Sequence, residues 1–212
     1  MADYAERHTV GRGLWKWTHY YEAYERHLAK FVGEEVTVVE IGVYSGGSLD
    51  MWREYFGPRC RLIGVDIAEE CRAYQDDQIS IEIGDQGDPE FWRAFLGRHP
   101  TIDVVIDDGG HHADQQVPTL EALLPRLSPG GVYACEDVTG VHNPFEDYMA
   151  GLARNLNRWD APDPRDSRTI PGPFQTMVAS IHRYPYLVLI ERSADPPREF
   201  SCPRRGTEWV PF

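Results

Sequence analysis

The chain lacks the features that mark membrane-spanning, secreted or nucleic-acid-binding proteins. None of its apolar runs approaches the ~20 residues that a membrane-spanning helix needs. Its 212 residues carry a formal net charge of −13, which argues against a general binder of nucleic acid or of anionic membranes. Residues 1–12 are polar and resemble neither a signal peptide nor a transit peptide. We therefore expect a cytoplasmic protein whose partners include neither nucleic acid nor a membrane.

Cysteine is scarce and irregularly spaced. The four cysteines (Cys60, Cys71, Cys135 and Cys202) form no CxxC pair, so a disulfide framework is not indicated. Free thiols in a reducing compartment are the simpler interpretation, which agrees with the expected cytoplasmic location.

Short apolar, β-branched runs alternate with helical patterns over the first two thirds of the chain. Strands are predicted at 36–43, 61–66, 79–83, 104–106 and 131–135, and helices at 14–32, 49–55 and 116–127. Asp88-Pro89 is typical of a helix start. The stretch 128–131 is predicted to stop the helix at 116–127. This rhythm predicts a single α/β domain with a doubly wound, mostly parallel sheet and right-handed crossovers.

The rhythm changes after residue 139. A helix is predicted over 146–157, and the proline-rich, charged stretch 161–173 is predicted to be a loop. We expect 141–173 as a whole to be an insertion that covers the substrate. Runs at 177–182 and 186–190 predict an antiparallel hairpin at one sheet edge, which completes a seven-stranded sheet. We expect residues 1–33 to supply a lid helix.

Two of the apolar runs end in pairs of acidic residues. The run 104–106 is followed by Asp107 and Asp108, and the run 131–135 by Glu136 and Asp137. Neighbouring parallel strands place such residues together at their carboxyl ends, where ligands bind. Four carboxylates meeting there repel one another unless a cation or protons intervene. Oxygen ligands of this kind favour a hard divalent ion, Mg²⁺ before Zn²⁺.

Adjacent positions in a strand point to opposite faces of the sheet, which bears on the second acid pair. Glu136 and Asp137 can reach one ion only if the strand has ended and the backbone turns there. Two histidines, His111 and His112, follow the first pair after two glycines. A neutral imidazole there could accept a proton, although both histidines could instead be solvated loop residues.

A glycine-containing turn lies between the first predicted strand and its helix. Its glycines let a ligand approach the backbone, and the helix N-terminus offers N–H groups to an anion. The spacing is not GxGxxG, which argues against a nicotinamide oxidoreductase. Asp66 is placed to accept hydrogen bonds from ribose hydroxyls, and Asp85 with Gln86 to read an adenine edge. The candidate cofactor contacts are Glu40, Gly42, Ser45, Gly46, Gly47, Ser48, Asp66, Asp85, Gln86 and Asp107.

Any one of these features could be a structural turn or a helix cap, but together, on three successive strands, they resemble the class I S-adenosylmethionine-dependent methyltransferases. The resemblance covers about 36–192 and includes the terminal hairpin that distinguishes this fold from dinucleotide-binding relatives. Within the class, IDDGGHH followed by CEDV resembles the Mg²⁺-dependent sugar O-methyltransferases that act on macrolide deoxysugars. Those proteins carry Asp-Gly-Ser-His, whereas Gly110 replaces the serine here. The segment KWTHYY, 16–21, resembles the lid helix of actinobacterial members, including those that methylate mannose-containing polysaccharides.

The resemblance implies S-adenosylmethionine and Mg²⁺ as cofactors. Asp108, Glu136 and Asp137 would be the metal ligands and His111 the general base, while Asp107 would face the cofactor or support the site. Bound to the ion, a sugar hydroxyl would lose its proton to His111 more easily and attack the methyl group. The acceptor would be a glycoside or oligosaccharide, such as a mannoside in polysaccharide biosynthesis, and we expect a homodimer.

The N-terminal aromatic residues and one loop histidine are candidate substrate contacts. These residues are Trp17, His19, Tyr20, Tyr21 and His142. The aromatic side chains could instead pack on the core or on a second subunit, and His142 could be an exposed loop residue.

Other functions fit parts of the same pattern. A catechol- or phenol-type metal-dependent O-methyltransferase shares the fold, cofactor and ion, but a phenol ionises more readily and has less need of a base such as His111. A metal-dependent hydrolase, or a non-catalytic binding module on the same fold, would not need the glycine turn and the acids together. Binding of S-adenosylhomocysteine would separate the methyltransferases from a hydrolase or an oxidoreductase.

Overall fold

The computed structural model describes residues 1–159 and 168–208, which contain one seven-stranded sheet and a separate two-stranded pair. The strands are β1 (Val36–Ile41), β2 (Cys60–Asp66), β3 (Ile79–Ile83), β4 (Ile102–Asp107), β5 (Leu127–Cys135), β6 (Arg168–Thr169), β7 (Val178–Tyr184), β8 (Leu187–Arg192) and β9 (Phe200–Ser201). The order across the large sheet is β3-β2-β1-β4-β5-β8-β7. The first five strands run parallel, while β8 runs antiparallel to both of its neighbours. The predicted sheet with its terminal hairpin is confirmed.

Helices connect the strands and cover the sheet. They are α1 (Ala2–Arg7), α2 (Tyr20–Leu28), α3 (Gly47–Phe56), α4 (Pro89–Arg98), α5 (Ala113–Leu123), α6 (Pro144–Leu156) and α7 (Pro173–Met177). The predicted start at Asp88-Pro89 is confirmed, because the Asp88 carboxylate accepts the Glu90 N–H at 2.8 Å. Among the helices of the described residues, none is both long and apolar enough to cross a bilayer.

The core is divided into two layers by the sheet. Successive residues of one strand enter opposite layers, as Val38 and Val39 do in β1. One layer packs against α2 and α3, with Trp52 fully buried, and the other against α4 and α5, with Trp92 almost fully buried. Burial on both faces explains why these strands are continuous apolar runs without polar alternation.

Two predicted boundaries are wrong. The helix predicted over 14–32 begins only at Tyr20, because Lys16 and Trp17 lie outside it and bond to acids far along the chain. The strand predicted over 131–135 begins at Leu127, which pairs with Ile102, so 128–131, predicted to stop a helix, belongs to β5. Tertiary pairing there outweighs the local turn preference of proline and glycine.

Most of the predicted substrate-covering loop, 161–173, lies outside the described residues. Its described end begins with β6, which pairs antiparallel with β9. The helix before it, predicted over 146–157, is α6, whose N-cap Asn143 accepts the Phe145 N–H at 2.9 Å.

The strand register places the site. Ile41 lies beside Asp107, and Asp107 lies beside Cys135, so the residues that follow β1, β4 and β5 emerge together at one edge. Asp66 ends β2 at the same edge. The sequence segments with polar side chains therefore converge as a parallel sheet requires.

Candidate active site

A cavity of about 900 Å³ opens at the carboxyl edge of the five parallel strands. Its walls combine the glycine turn after β1, the ends of β2 and β3, the loops after β4 and β5, and part of the segment before α2. The predicted site residues that line it are Trp17, Gly42, Ser45, Ser48, Asp66, Asp85, Gln86, Asp108, His111, Glu136 and Asp137.

The glycine turn packs tightly against the loop after β4. Gly42 has φ +87°, and a Cβ placed on it would lie 2.0 Å from the Asp108 carbonyl oxygen, so no other residue fits without moving that loop. Asp66 braces the turn, since its Oδ2 accepts the N–H groups of Val43 and Tyr44 at 2.9 and 3.0 Å. Asp66 also lines the cavity, where it offers a negative charge to donors.

The backbone turns sharply where the second acid pair emerges. β5 ends at Cys135, the Glu136 N–H donates to the Asp107 carbonyl at 2.8 Å, and Asp137 has φ +54°. The left-handed conformation of Asp137 turns the backbone, so that the carboxylates of Glu136 and Asp137 both face the cavity. Adjacent residues of a regular strand would instead point to opposite faces of the sheet. His111, at φ +57°, is held in a similar conformation. Few residues other than glycine adopt such conformations, although aspartate and histidine do so more readily than most.

Three polar side chains converge at the cavity rim. His111 Nε2 lies 3.9 Å from Asp108 Oδ1 and 3.8 Å from Asp137 Oδ2. These atoms lie within 4.8 Å of one another, which is close enough to share one ion. Glu136 adds a buried carboxylate beside them. A donor set dominated by carboxylate oxygens fits a hard divalent cation such as Mg²⁺.

Lys16 lies against the inner side of this group. Its Nζ is 2.6 Å from Glu136 Oε1 and 2.9 Å from Asp108 Oδ2, and its side chain is 1 % exposed. Burial alone lowers the pKa of a lysine, but the surrounding carboxylates outweigh it and hold the pKa of Lys16 well above its usual value. Burial raises the pKa of Glu136, although Lys16 favours its charged form.

Comparison with known proteins agrees with this arrangement. A family model described as a methyltransferase domain matches residues 39–138, which run from β1 through the second acid pair. The chain has the class I methyltransferase fold.

The curated relatives of this chain are named as O-methyltransferases. The chain is 35% identical to the 8-demethyl-8-alpha-L-rhamnosyl tetracenomycin-C 2'-O-methyltransferase of Streptomyces olivaceus, over 92% of this chain and 55% of the relative. It is 31% identical to the demethylmacrocin O-methyltransferase of Streptomyces fradiae, over 81% of this chain and 48% of the relative. The chain thus spans about half the length of the curated relatives it matches.

A solved structure with the same fold contains a metal and a cofactor product. The MycE methyltransferase from the mycinamycin biosynthetic pathway, in complex with Mg and SAH, matches with a TM-score of 0.69 and 30% identity. The match covers 81% of this chain and 48% of that chain.

Four of the predicted cofactor contacts lie behind the cavity wall. They are Glu40, Gly46, Gly47 and Asp107, none of which lines the cavity. Glu40 turns inward because Ser48 and Trp52 donate to its two oxygens at 2.8 and 2.9 Å. Direct contact of these four residues with the cofactor stays a prediction.

Asp107 and Gln86 form a buried pair beneath the loop after β4. Tyr133 donates to Asp107 Oδ2 at 2.8 Å and Gln86 Nε2 donates to Oδ1 at 3.0 Å. Burial raises the pKa of Asp107 to about 6, although these hydrogen bonds favour the charged form. Gln86 Oε1 also accepts the Gly110 N–H at 2.7 Å, so its amide shapes the loop even though the residue reaches the cavity. Asp85, by contrast, is exposed there.

The predicted substrate contacts divide into two groups. Trp17 lines the cavity and donates from Nε1 to Asp137 Oδ1 at 2.9 Å. The other four residues do not line it: Tyr20 and Tyr21 are buried, and His19 and His142 are exposed. The alternative of aromatic side chains packed on the core therefore holds for Tyr20 and Tyr21, and the exposed-loop alternative holds for His142.

Sequence reasoning missed Lys16 as a site residue and did not predict that Tyr24 contacts Glu136. The Tyr24 hydroxyl is buried and donates to Glu136 Oε1 at 2.5 Å. A lysine inside an aromatic segment, LWKW, was the available signal, because buried lysines need acidic partners. Nothing local in the sequence identifies those partners, which lie 92 and 120 residues away.

Proposed function

We propose that this chain catalyses S-adenosylmethionine- and Mg²⁺-dependent O-methylation of a sugar hydroxyl on a glycoside or oligosaccharide. The observation that carries the proposal is the convergence of Asp108, Glu136, Asp137 and His111 at the rim of a cavity. The glycine turn and Asp66 line the same cavity at the cofactor end. The names of two relatives, which combine a rhamnosyl group with 2'-O- or 3'-O-methyltransferase, support the acceptor class.

The residues fit both cofactors. Gly42 lines the cavity, so its backbone is open to a ligand there, and Asp66 supplies a charged acceptor for ribose hydroxyls. Asp108, Glu136 and Asp137 would hold the ion, whose contribution is to acidify and orient the acceptor hydroxyl.

His111 would take the proton of the acceptor hydroxyl at Nε2. Its nearest neighbours, Asp108 Oδ1 and Asp137 Oδ2, carry negative charge and stabilise the imidazolium that forms. Its side chain is 38% exposed, so the proton can pass on to water. Bound S-adenosylmethionine would supply the methyl group to the acceptor oxygen, with S-adenosylhomocysteine and a methyl ether as the products.

The test is methyl transfer to a panel of acceptors, read by mass spectrometry. Glycosides with free vicinal hydroxyls, a mannoside among them, should be methylated, while catechols should not. EDTA should abolish transfer and Mg²⁺ should restore it. Methylation of catechols alone would replace the acceptor class, and full activity in EDTA would remove the metal from the proposal.

Finer parts of the proposal concern the cell and the assembly. We place the enzyme in the cytoplasm, in natural-product or polysaccharide biosynthesis, as a homodimer that uses neither nucleic acid nor a membrane. Sedimentation equilibrium tests the assembly, and a monomeric mass would remove the homodimer.

A further inference from the structure

Lys16 is the most deeply enclosed cation of the site. Its side chain is 1% exposed, and its Nζ lies 2.6 Å from Glu136 Oε1, 2.9 Å from Asp108 Oδ2 and 3.5 Å from Glu40 Oε1. It also lies 5.8 Å from the centre of the Trp52 ring. Three acids therefore share one ammonium group at the inner side of the proposed metal site.

The use of lysine at this position is unusual for this chain. Of its 21 basic residues, Lys16 and Lys30 are the two lysines and all the others are arginine. An ammonium group is a compact point charge, whereas a guanidinium is a wide, planar fork. Contact with three separate carboxylates around one point suits the ammonium group.

Asp108 and Glu136 each give one oxygen to donors and leave the other open. Lys16 bonds to Asp108 Oδ2, and both Lys16 and the Tyr24 hydroxyl bond to Glu136 Oε1. Within 1–159 and 168–208, no hydrogen bond reaches Asp108 Oδ1 or Glu136 Oε2. Asp108 Oδ1 faces His111 at 3.9 Å.

Asp137 follows the same pattern with different donors. Trp17 Nε1 and the Tyr20 hydroxyl both donate to Asp137 Oδ1 at 2.9 Å. Its Oδ2 faces His111 Nε2 at 3.8 Å. The donors to all three acids come from 16–24, so this one stretch of chain fixes which oxygen of each acid remains open.

We propose that Lys16 is a permanent second cation of the site, which holds one oxygen of Asp108 and of Glu136 and leaves the other oxygen of each for the divalent ion. Lys16 is in this sense a positioning residue. The proposal rests on the proposed function, because it concerns the same metal site.

The surroundings of Lys16 argue that it stays when the ion binds. If it left, Glu40 would lose its cation while 1% exposed, with only Ser48 and Trp52 as donors. Uncompensated buried charge is strongly unfavourable. Two cations can share the site because four acids surround them: Glu40, Asp108, Glu136 and Asp137.

The first experiment is amine footprinting of the unaltered protein with acetic anhydride, with and without saturating Mg²⁺. With two lysines in the chain, mass spectrometry reads each one separately, and Lys30, 44% exposed, is the internal control. Lys30 should be acetylated in both conditions and Lys16 in neither. Acetylation of Lys16 that appears with Mg²⁺ would show that the ion displaces it and would overturn the proposal.

The second experiment is calorimetric titration of Mg²⁺ into Lys16→Met, with Lys30→Met as the matched control. Removing a neighbouring positive charge should tighten Mg²⁺ binding by about tenfold or more, while Lys30→Met should leave it unchanged. A lysine with only a structural role predicts weaker binding, and unchanged or weaker binding overturns the proposal. If Lys16→Met does not fold, the footprint of the unaltered protein decides.

The two proposals fail in different ways. If the unaltered protein binds S-adenosylhomocysteine but no Mg²⁺, the metal part of the proposed function falls, and the role of Lys16 falls with it. If Mg²⁺ binds but Lys16 becomes reactive, the proposed function stands and the role of Lys16 alone is overturned.

Discussion

Among the residues that the structure describes, two groups of side chains bring histidine and carboxylate atoms within 4.8 Å of one another. One is the rim cluster, Asp108, His111 and Asp137. The other is the hairpin cluster, His27, His182 and Glu191, which joins α2 to β7 and β8. By spacing and residue type alone, both are potential metal sites.

The two clusters differ in what their ligand atoms contact. In the hairpin cluster, His27 bonds to Glu191 Oε1 at 2.6 Å and to the Tyr184 hydroxyl at 3.0 Å, and His182 bonds to Ser180 at 2.9 Å. Its residues do not line the 900 Å³ cavity. The rim cluster keeps open oxygens that face the cavity. The rim cluster, which we propose binds the metal, therefore differs from the hairpin cluster in having carboxylate oxygens without hydrogen-bond donors at a cavity, and the spacing of the ligand atoms does not separate the two.

The largest expected effect contrasts one carboxylate from each cluster. Asp108→Asn should lower Mg²⁺ affinity by at least about 100-fold, because mutating residues that only hydrogen-bond to a metal ligand already lowers affinity by up to about 100-fold. It should also reduce turnover to the level seen in EDTA. Glu191→Gln should change neither quantity. Calorimetry and methyl-transfer assays measure both, and equal losses in the two variants would show that the clusters do not differ as described.

The histidines of the two clusters give the next contrast. His111→Ala should lower turnover by roughly 10²–10⁴-fold, the scale for a positioned base, and should retain binding of S-adenosylhomocysteine. His182→Ala should keep turnover close to that of the unaltered enzyme, because His182 lies outside the cavity. Near-normal turnover in His111→Ala would exclude it as the base.

Asp66 is an intermediate case, since its oxygens accept backbone N–H groups and yet line the cavity. Asp66→Ala should weaken binding of S-adenosylhomocysteine roughly 10- to 100-fold, through loss of a charged acceptor worth about 1.5–3 kcal/mol. Asp76→Ala is the matched control, because Asp76 Oδ1 accepts the N–H groups of Gln78 and Ile79 outside the cavity. If both variants lose stability and neither loses affinity for S-adenosylhomocysteine in calorimetry, Asp66 only stabilises the turn after β1 and does not bind the cofactor.

The smallest effect concerns the stability that the hairpin cluster provides. Burial raises the pKa of Glu191, but the hydrogen bond from His27 and the charge of Lys30 outweigh it and hold that pKa below its usual value of 4.5. Glu191→Gln should therefore lower the free energy of unfolding by about 1 kcal/mol at pH 7.

The pH dependence of that difference follows from the sign of the shift. A lowered pKa contributes stability above the unfolded value, which is lost as the pH falls through the folded value. The gap between Glu191→Gln and the unaltered protein should thus shrink below pH 4.5 in urea unfolding experiments. A gap that is constant with pH would show that the carboxylate charge is not what stabilises the hairpin.

The sequence predicts most of the sheet because apolar β-branched runs and their connections are local signals. The same signals fail for 128–131, where pairing with β4 makes a strand from residues that favour turns. They also extend α2 too far, because the aromatic spacing over 14–32 does not show that Lys16 leaves the helix to reach acids.

The acids and the histidine of the site were predictable because parallel strands bring their carboxyl ends to one edge. Which residues reach the cavity was less predictable. Asp107 and Asp108 are adjacent, yet one turns to Tyr133 in the core and the other to His111. That choice depends on side chains from distant strands, which a single sequence does not pair.

The left-handed backbone at His111 and Asp137 also limits how this enzyme can diversify. With φ near +55°, β-branched and bulky residues are disfavoured there whatever chemistry they offer, while glycine, asparagine, aspartate and histidine are tolerated. Substitution of His111 or Asp137 therefore has a narrow set of foldable outcomes. Trp17 also borders the cavity, but it is not among the residues with positive φ, so its position accepts a wider range of side chains. New acceptor preferences are more accessible through such neighbours than through the rim itself.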